Sequence, residues 1–436
     1  MKKLQMLATG VAALIIAATA CANRATDSPG KPEYVTVRDG EFYIGDSLYR
    51  YVGANLWYGA LLGAEKYGDR GRLIRELDYL KSIGVDNLRV LAGGDGRTGV
   101  ASHIEPVLQT APGVYNDTLL AGLDFLLAEM EKRRMRAVIY LNNAWEWSGG
   151  FGAYLEWIGH GDAPLPADGY REFVRYTSQF VLDDGAKTLF LDHARNIVGR
   201  TSSITGRPYR ESEAIMSWQI ANEPRAFSRD GKRALAEWLR QSARAIKEID
   251  PNHLVSTGSE GKFGCEFDID LWSEIHSYPE IDYANIHIWP YNWMWIDRST
   301  PEGVVNGVDS ACVKTGRYID EHFEALGGAK PIVLEEFGYP RDAMGIAVGS
   351  PTDGRDRYYE YVFSLIRDSG KIKGSNFWGW GGFARPANPT WQRGDDYTGD
   401  PAQEDQGLNS VFASDTSTID IIRRMSEAIR NCADRQ

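Results

Sequence analysis

Two apolar runs of the sequence end in carboxyl side chains. One leads into Ala221-Asn222-Glu223-Pro224, and another leads into Leu334-Glu335-Glu336-Phe337-Gly338. Two carboxyls facing each other across a cleft can cleave a glycosidic bond, because one protonates the leaving oxygen while the other attacks the anomeric carbon or activates water. A single glutamate at the end of a strand is more often a solvated charge, so the hypothesis depends on a fold that brings the two together.

Eight short apolar runs alternate with segments of helical spacing, which predicts βαβ units and a parallel sheet. Eight strands favour a closed (β/α)8 TIM barrel over an open doubly wound sheet, and no GxGxxG follows the first strand to indicate a dinucleotide. The predicted strands are Tyr49–Val52, Asn87–Leu91, Arg136–Leu141, Ile215–Ile220, Leu254–Thr257, Tyr283–Ile288, Ile332–Leu334 and Ser375–Trp378. The predicted helices include Leu73–Ile83, Leu119–Met130, Ala234–Ile249 and Tyr358–Ile366.

The active site of such a barrel lies at the carboxyl ends of its strands, which is where Glu223 and the Glu335-Glu336 pair fall. Because side chains alternate along a strand, we expect only one of the two adjacent glutamates to face the cleft, and spacing alone does not say which. An N-terminal hairpin, 34–37 with 41–44, is expected to plug the lower face of the barrel. Two insertions, Gly93–Pro112 and Phe383–Asp405, are long enough to close one end of the cleft, so the sequence leaves internal and terminal cleavage open.

The first residues have the order of a targeting signal. Lys2 and Lys3 precede the apolar run Val11–Ala18, and small residues precede Cys21. This order resembles a bacterial lipoprotein signal, so we predict residues 1–21 as signal and lipobox, 22–34 as a tether, 35–436 as one catalytic domain, and Cys21 as the site of lipidation. The expected location is the cell envelope; a plain secretory signal is the alternative, and the apolar run is too short to span a membrane.

The net charge and the cysteine count limit which ligands, disulfides and cofactors we expect. The net charge of −12 argues against nucleic acid. The cysteines after Cys21 are odd in number and lack CxxC spacing, and a Cys265–Cys312 disulfide is the pairing we expect if one forms. No HExxH motif is present, so we expect neither a metal site nor a cofactor, and we expect a monomer. The acidic run 394–400 is interpreted as a solvated loop at the rim of the cleft.

The motifs resemble those of glycoside hydrolase family 5, a family of retaining glycosidases on TIM barrels. Asn-Glu-Pro follows the fourth predicted strand, and Glu-Phe-Gly follows the seventh. Four further strand ends agree in order, which a chance match to one tripeptide would not give: Asn87-Leu88-Arg89-Val90, Asn142-Asn143 with Trp145, His287, and Phe377-Trp378.

Several details resemble the β-mannanases of that family more than its cellulases. They are Thr205-Gly206-Arg207-Pro208-Tyr209 before the fourth strand, Leu141-Asn142-Asn143 followed by Gly149-Gly150, and His287-Ile288-Trp289-Pro290 with Asn292-Trp293. The resemblance implies an endo-β-1,4-mannanase that cuts internal bonds of mannan, glucomannan or galactomannan by double displacement. The alternatives are a β-1,4-glucanase and an inactive glycan-binding lipoprotein.

Carried over to this chain, the resemblance makes Glu223 the acid/base and Glu336 the nucleophile, and it leaves Glu335 as a partner of an outer helix. The residues that it places around the substrate are Arg89, Asn143, Asn222, Arg225, His287, Trp289 and Trp378. The family usually has tyrosine where Trp289 stands. Either Trp289 only shapes the sugar site, or Tyr291 supplies the missing hydroxyl.

Overall fold

Eight parallel strands form the centre of the computed structural model, which describes residues 33–433. The strands neighbour one another in the order 254–256, 215–219, 136–140, 87–91, 51–55, 374–377, 332–337 and 284–288. Helices surround this sheet, so the predicted TIM barrel is confirmed. Cys21 and the predicted signal lie outside the described residues. None of the helices in the described part of the chain is long and apolar enough to cross a bilayer.

The barrel strands match the predicted runs to within two residues at their starts. They are β4 (Tyr51–Asn55), β5 (Asn87–Leu91), β8 (Arg136–Tyr140), β9 (Ile215–Gln219), β10 (Leu254–Ser256), β11 (Ala284–Ile288), β12 (Ile332–Phe337) and β13 (Gly374–Phe377). The remaining strands are β1 (Val35–Arg38), β2 (Glu41–Ile44), β3 (Ser47–Leu48), β6 (Gln109–Ala111), β7 (Val114–Tyr115), β14 (Trp380–Gly382) and β15 (Val411–Phe412).

The helices lie between the strands, and the four predicted ones are confirmed. The helices are α1 (Gly59–Gly63), α2 (Arg70–Ser82), α3 (Asp117–Lys132), α4 (Gly150–Trp157), α5 (Pro166–Thr177), α6 (Asp184–Val198), α7 (Lys232–Ile249), α8 (Ile269–Ser277), α9 (Pro301–Asn306), α10 (Val308–Leu326), α11 (Asp353–Ser369) and α12 (Thr416–Ala433). Short 3-10 helices occur at Glu146–Ser148, Phe180–Leu182, Tyr209–Glu211 and Asp342–Met344.

Side chains close the seam between β10 and β11, which share no strand ladder. The Asn285 Oδ1 atom accepts hydrogen bonds from the backbone N–H groups of Thr257, at 3.1 Å, and Gly258, at 2.9 Å. Asp282 accepts from the Val255 N–H at 2.6 Å. These bonds satisfy backbone donors that a ladder would otherwise pair, and they hold the end of β11 beside the end of β10.

The N-terminal hairpin covers the lower end of the barrel, as predicted. Val35 and Phe42 are buried in an apolar cluster with residues near the starts of barrel strands. Phe42 packs edge-on against Tyr283 with ring centroids 5.4 Å apart. This plug keeps water from the lower face and leaves the upper mouth as the place where polar groups can meet a ligand.

The expected disulfide is wrong, because Cys265 and Cys312 are both free thiols. Cys265 is buried in the apolar core, and burial raises the pKa of its thiol to about 12. Cys312 lies in helix α10. The helix presents it towards Asp309 and Arg357, whereas Cys265 lies near Glu260 and Asp268.

The acidic run 394–400 is only partly the solvated loop that we expected. Its second half, from Tyr397 to Asp400, is buried. The Asp400 carboxylate accepts hydrogen bonds from the backbone N–H groups of Gly407, Asn409 and Ser410 at 2.8, 2.9 and 3.1 Å, and from the Ser410 hydroxyl. Asp400 therefore folds the segment 400–410 around its own side chain.

Replacing Asp400 with alanine should lower the free energy of unfolding by about 3 kcal/mol, because three buried N–H groups lose their acceptor. The shift of the urea midpoint measures the effect. Asp405→Ala is the matched control, since Asp405 lies on the same segment with an exposed side chain. Equal midpoints for the two variants would contradict the role given to Asp400.

Candidate active site

Glu223 lies four residues beyond Gln219, the last residue of β9, at the upper mouth of the barrel. Its backbone adopts a left-handed conformation with φ of 48°, and its N–H donates to the Gly258 carbonyl at 2.9 Å. Pro224 then prevents the strand from continuing, because proline has no N–H for a ladder. The turn therefore fixes where the Glu223 side chain points.

A bulge in β12 brings both adjacent glutamates inside the barrel. In the pairing with β11, Ile286 faces Leu334 but the next residue, His287, faces Glu336, so one residue of β11 spans two of β12. Strand alternation is broken at this step. The expectation that only one of Glu335 and Glu336 could point inward is therefore wrong, since both contact the same buried arginine.

Glu335 lies deeper in the barrel than Glu336 and does not contact an outer helix, which corrects the expected partner. Its carboxylate accepts from the Gln219 amide at 2.5 Å and from the Tyr283 hydroxyl at 2.9 Å, and it lies 4.0 Å from Arg89 Nε. Burial raises the pKa of Glu335 to about 7. Glu335 is fully buried and lies beneath the cavity floor, so a substrate cannot reach it.

Arg89, at the middle of β5, connects the polar groups of the site. Its guanidinium donates to a Glu336 carboxylate oxygen, to Gln219 Oε1 at 2.7 Å and to Asn222 Oδ1 at 2.7 Å. It also stacks on the Tyr140 ring, 4.5 Å from the centroid. The predicted contact between Arg89 and Glu336 is thus present, and the arginine also sets the orientation of Asn222.

His287, at the end of β11, lies between the two carboxyls. Its Nδ1 is 2.9 Å from a Glu223 oxygen and 3.4 Å from a Glu336 oxygen. One oxygen of each carboxyl and the His287 nitrogen all lie within 4.8 Å of one another. These are also the atoms in the described residues that are placed to hold a metal ion, so the expected absence of a metal stays a prediction. Burial lowers the pKa of His287 well below its ordinary value, which keeps the imidazole neutral.

Trp289, which stands where the family usually has tyrosine, contacts Glu336 itself, and Tyr291 does not replace the missing hydroxyl. Its indole N–H donates to the second Glu336 oxygen at 3.1 Å. Tyr291 does not line the cavity, and its ring lies under the Arg298 guanidinium, 4.2 Å from the charge centre. An indole can only donate a hydrogen bond, so Trp289 stabilises the ionised form of Glu336.

Glu223 and Glu336 are both buried, which raises the pKa of each, but the groups that contact them differ. Burial raises the pKa of Glu336 well above its ordinary value, Arg89 opposes the rise, and Glu223 adds to it. Burial also raises the pKa of Glu223, opposed by Arg225. Two carboxylates this close resist double ionisation. Each carboxyl accepts an indole N–H, but only Glu336 accepts from the Arg89 guanidinium, whereas Glu223 contacts the neutral His287 imidazole. We therefore place the charge on Glu336 and the proton on Glu223.

The cavity above these groups has a volume of about 370 Å³. Of the predicted substrate-binding residues, Asn222, Arg225, Trp289 and Trp378 line it, together with both catalytic candidates. Arg89 and His287 lie beneath it against the carboxyls. Asn143 does not line the cavity but lies behind Asn222. It is fully buried, and its Oδ1 accepts from the Asn222 amide at 3.1 Å. Asn143 therefore positions Asn222 rather than meeting a substrate.

Sequence reasoning missed several residues that line the cavity. They are Glu146, Trp147, Pro166, Tyr170, Glu260, Pro401, Gln403 and Glu404, while Trp145, Asn292 and Trp293 were noted only as parts of motifs. Trp145 donates its indole N–H to Glu223 at 2.5 Å. Glu260 follows strand β10 and accepts from Arg225 Nε at 2.6 Å, so inspecting every strand end would have found it. Gln403 and Glu404 lie on an irregular loop that gives no such signal.

Comparisons with known proteins agree with this geometry. The chain is 33% identical to the glycoside hydrolase family 5 mannosidase from Rhizomucor miehei, whose crystal structure superimposes with a TM-score of 0.84 over 93% of this chain and 99% of that one. It is 27% identical to the putative mannan endo-1,4-beta-mannosidase 9 of Oryza sativa, over 85% of this chain and 87% of the rice protein. The endo-beta-1,4-mannanase from Thermotoga petrophila, at 22% identity and a TM-score of 0.67 over 88% of this chain and 77% of that one, shares the fold.

The family model described as "GH family 5 beta-mannosidase-like" matches residues 32–434, nearly the whole chain. The match covers every strand of the barrel and each residue that forms the carboxyl pair and its surroundings. The protein is a glycoside hydrolase, and it belongs to the mannosidase-like group of family 5.

Proposed function

We propose that the protein hydrolyses β-1,4-mannosidic bonds with retention of anomeric configuration, with Glu336 as nucleophile and Glu223 as acid/base. The observation that carries the proposal is the distance between the carboxyls, whose nearest oxygens lie within 4.8 Å. Retaining enzymes hold the two groups about 5–5.5 Å apart, whereas inverting enzymes need about 6.5–9.5 Å to admit a water molecule.

The partners of each carboxyl fit a double displacement. In the first step Glu336, kept ionised by Arg89 and Trp289, attacks the anomeric carbon while Glu223 gives its proton to the leaving oxygen. The bond between that carbon and oxygen breaks, and a glycosyl ester of Glu336 forms. In the second step Glu223, now ionised, takes a proton from water, and the water oxygen displaces Glu336. Asn222, whose Oδ1 is bound by Arg89, is left with an amide hydrogen to donate to the 2-hydroxyl.

Mannose as the sugar is supported by the relatives. The rice relative is named a mannan endo-1,4-beta-mannosidase, and the mannosidase from Rhizomucor miehei, 33% identical, was also solved with mannosyl-fructose. We therefore propose β-mannan or manno-oligosaccharides as substrate and prefer this to a β-1,4-glucan. The intact carboxyl pair with its Arg89 and Trp289 partners supports an active enzyme over a glycan-binding protein.

The proposed location rests on the first residues of the sequence. The lipobox order before Cys21 supports export and anchoring by acyl chains on that cysteine. Cys21→Ala should therefore convert a detergent-partitioning enzyme into a soluble one of unchanged specific activity, measured by phase separation of cell fractions. Unmodified wild-type protein that is cleaved elsewhere and free in the medium would contradict the anchor.

Azide should identify the nucleophile. Glu336→Ala should lose activity by about 10³-fold or more, because no covalent ester can form. On an aryl β-mannoside with a good leaving group, added azide should restore turnover and give the α-mannosyl azide. The same anion with Glu223→Ala should give the β-azide, since it then attacks an ester already inverted once.

Glu335→Ala is the control for this experiment. It removes a buried carboxyl that touches Arg89 but not the cavity, so it should lower stability and form no azide product. An α-azide from Glu335→Ala, with near-normal turnover in Glu336→Ala, would show that the two roles are reversed.

Trp289→Phe should move the acidic limb of the pH profile of kcat/KM to higher pH. Losing the N–H donor destabilises the Glu336 carboxylate, so the pKa of Glu336 rises further and the nucleophile is protonated at a higher pH. We expect kcat to fall about tenfold, the loss of one hydrogen bond to a charged group. Trp289→Tyr, which restores an O–H donor, should shift the limb less. An unchanged limb in Trp289→Phe would exclude Trp289 as a determinant of that pKa.

A further inference from the structure

A second cavity, larger than the active-site cavity, lies at the same end of the barrel. Its volume is about 560 Å³, and in the described part of the chain it shares no lining residue with the active-site cavity. The segments that line it, 62–72, 98–106 and 391–397, follow the barrel strands β4, β5 and β13 at their carboxyl ends. The double displacement uses none of these residues, so it does not explain this cavity.

Packed side chains separate the two cavities. Trp57 packs against Trp147, which lines the active-site cavity, with ring centroids 5.7 Å apart, and against Tyr397, which lines the second cavity, with centroids 5.8 Å apart. The Tyr397 hydroxyl donates to the Glu105 carbonyl, and Arg393 forms an ion pair with the Glu105 carboxylate. The second cavity is therefore a site of its own, with one indole between it and the first.

Flat aromatic side chains give the second cavity an apolar surface. Trp391 stacks on Tyr397 with ring centroids 5.4 Å apart and an angle of 11° between the planes, and it is only half-buried. Tyr67, from the segment that follows β4, lines the same cavity and is 40% exposed. Such rings offer a large, rigid apolar face to a ligand. The apolar CH faces of sugar rings can pack on it.

The polar lining of the second cavity includes a buried donor that lacks a partner. The Arg72 side chain is 4% exposed, and its Nη1 atom has no hydrogen-bond partner among the described residues. The Asp396 Oδ1 atom is 3.8 Å from it, too far for a hydrogen bond. Other nitrogens of the guanidinium donate to Glu76 at 2.9 Å and to the Tyr397 carbonyl at 2.9 Å. Buried donors are almost always paired, so a ligand that brings an acceptor would complete the set.

The charges in the second cavity favour an uncharged ligand. Three cationic side chains and four carboxylates line it, so the net charge of its lining would repel an anion. The cations Arg72 and Lys66 lie among the carboxylates, which disfavours a cationic ligand as well. A neutral sugar avoids both costs. Its hydroxyls can accept from Arg72 and donate to the Asp396 carboxylate, which is 45% exposed.

We propose that the second cavity binds a segment of β-mannan and holds the polysaccharide beside the active-site cavity. The inference rests on the proposed function, which names the polysaccharide. A chain bound at both cavities dissociates less readily than one bound at either, because the second contact becomes intramolecular. The second cavity therefore strengthens the binding of long substrates. It leaves the reaction of a short mannoside, which fills the active-site cavity alone, unchanged.

Substrates of different length test the second cavity. Trp391→Ala should raise KM for soluble mannan at least about fivefold, the cost of removing an aromatic anchor, and leave kcat unchanged. Its kcat/KM for an aryl β-mannoside should equal that of wild type. Tyr67→Ala, on a different segment, should show the same split between the substrates. Phe383→Ala is the matched control and should equal wild type on both, since Phe383 is an exposed aromatic residue of the same insertion as Trp391 but lines neither cavity.

Affinity electrophoresis in gels that contain mannan measures binding directly, with Glu336→Ala as a background that does not cleave the polymer. Adding Trp391→Ala to this background should weaken the apparent affinity at least about fivefold. Equal retardation with and without Trp391→Ala would overturn the inference. So would a loss on the aryl mannoside as large as the loss on mannan, because the effect would then lie in the active-site cavity. If wild type cleaves no mannoside, the proposed function fails, while the retardation still decides whether the second cavity binds mannan.

Discussion

The site depends on one buried cation. Arg89 is fully buried and reaches both carboxylates of the bulged strand, the Asn222 amide and Gln219. A guanidinium without partners at this depth would cost several kcal/mol, so the surrounding acceptors are fixed in number and direction by the need to satisfy it. This requirement makes Glu336 the anion of the pair and leaves the proton on Glu223.

The bulge in β12 is what lets one arginine serve two adjacent glutamates. A regular strand would send Glu335 to the helical layer, where a buried carboxyl would need its own partners. The register shift opposite His287 instead turns it into the barrel, against Gln219 and Tyr283. Glu335 then adds a second carboxylate near Arg89 without lining the cavity, so the deeper glutamate supports the polar layer on which the reactive one rests.

The sequence predicted those parts of the molecule that periodicity and strand ends determine. The barrel strands, the plug at Val35 and Phe42, and the meeting of Glu223 with Glu336 all follow from local pattern plus the rule that parallel strands end at one face. The bulge was not predictable, because inserting one residue leaves no trace in an apolar run. The segment 400–410 was not predictable either, since Asp400 folds it by binding backbone N–H groups, which every residue except proline carries.

The active-site cavity, like the whole chain, is rich in acidic residues. It nevertheless suits an uncharged ligand. Five glutamates line it: Glu146, Glu223, Glu260, Glu336 and Glu404. Burial raises the pKa of Glu146 to about 7 and that of Glu404 to about 8, which favours their protonated forms, whereas Glu260 accepts a hydrogen bond from the Arg225 guanidinium at 2.6 Å. A protonated carboxyl offers a donor and an acceptor on one planar group, which is what adjacent hydroxyls of a sugar require. Burial thus favours the hydrogen-bonding, protonated forms of Glu146 and Glu404, whereas Glu336 beside Arg89 and Glu260 beside Arg225 each have a guanidinium to balance a negative charge.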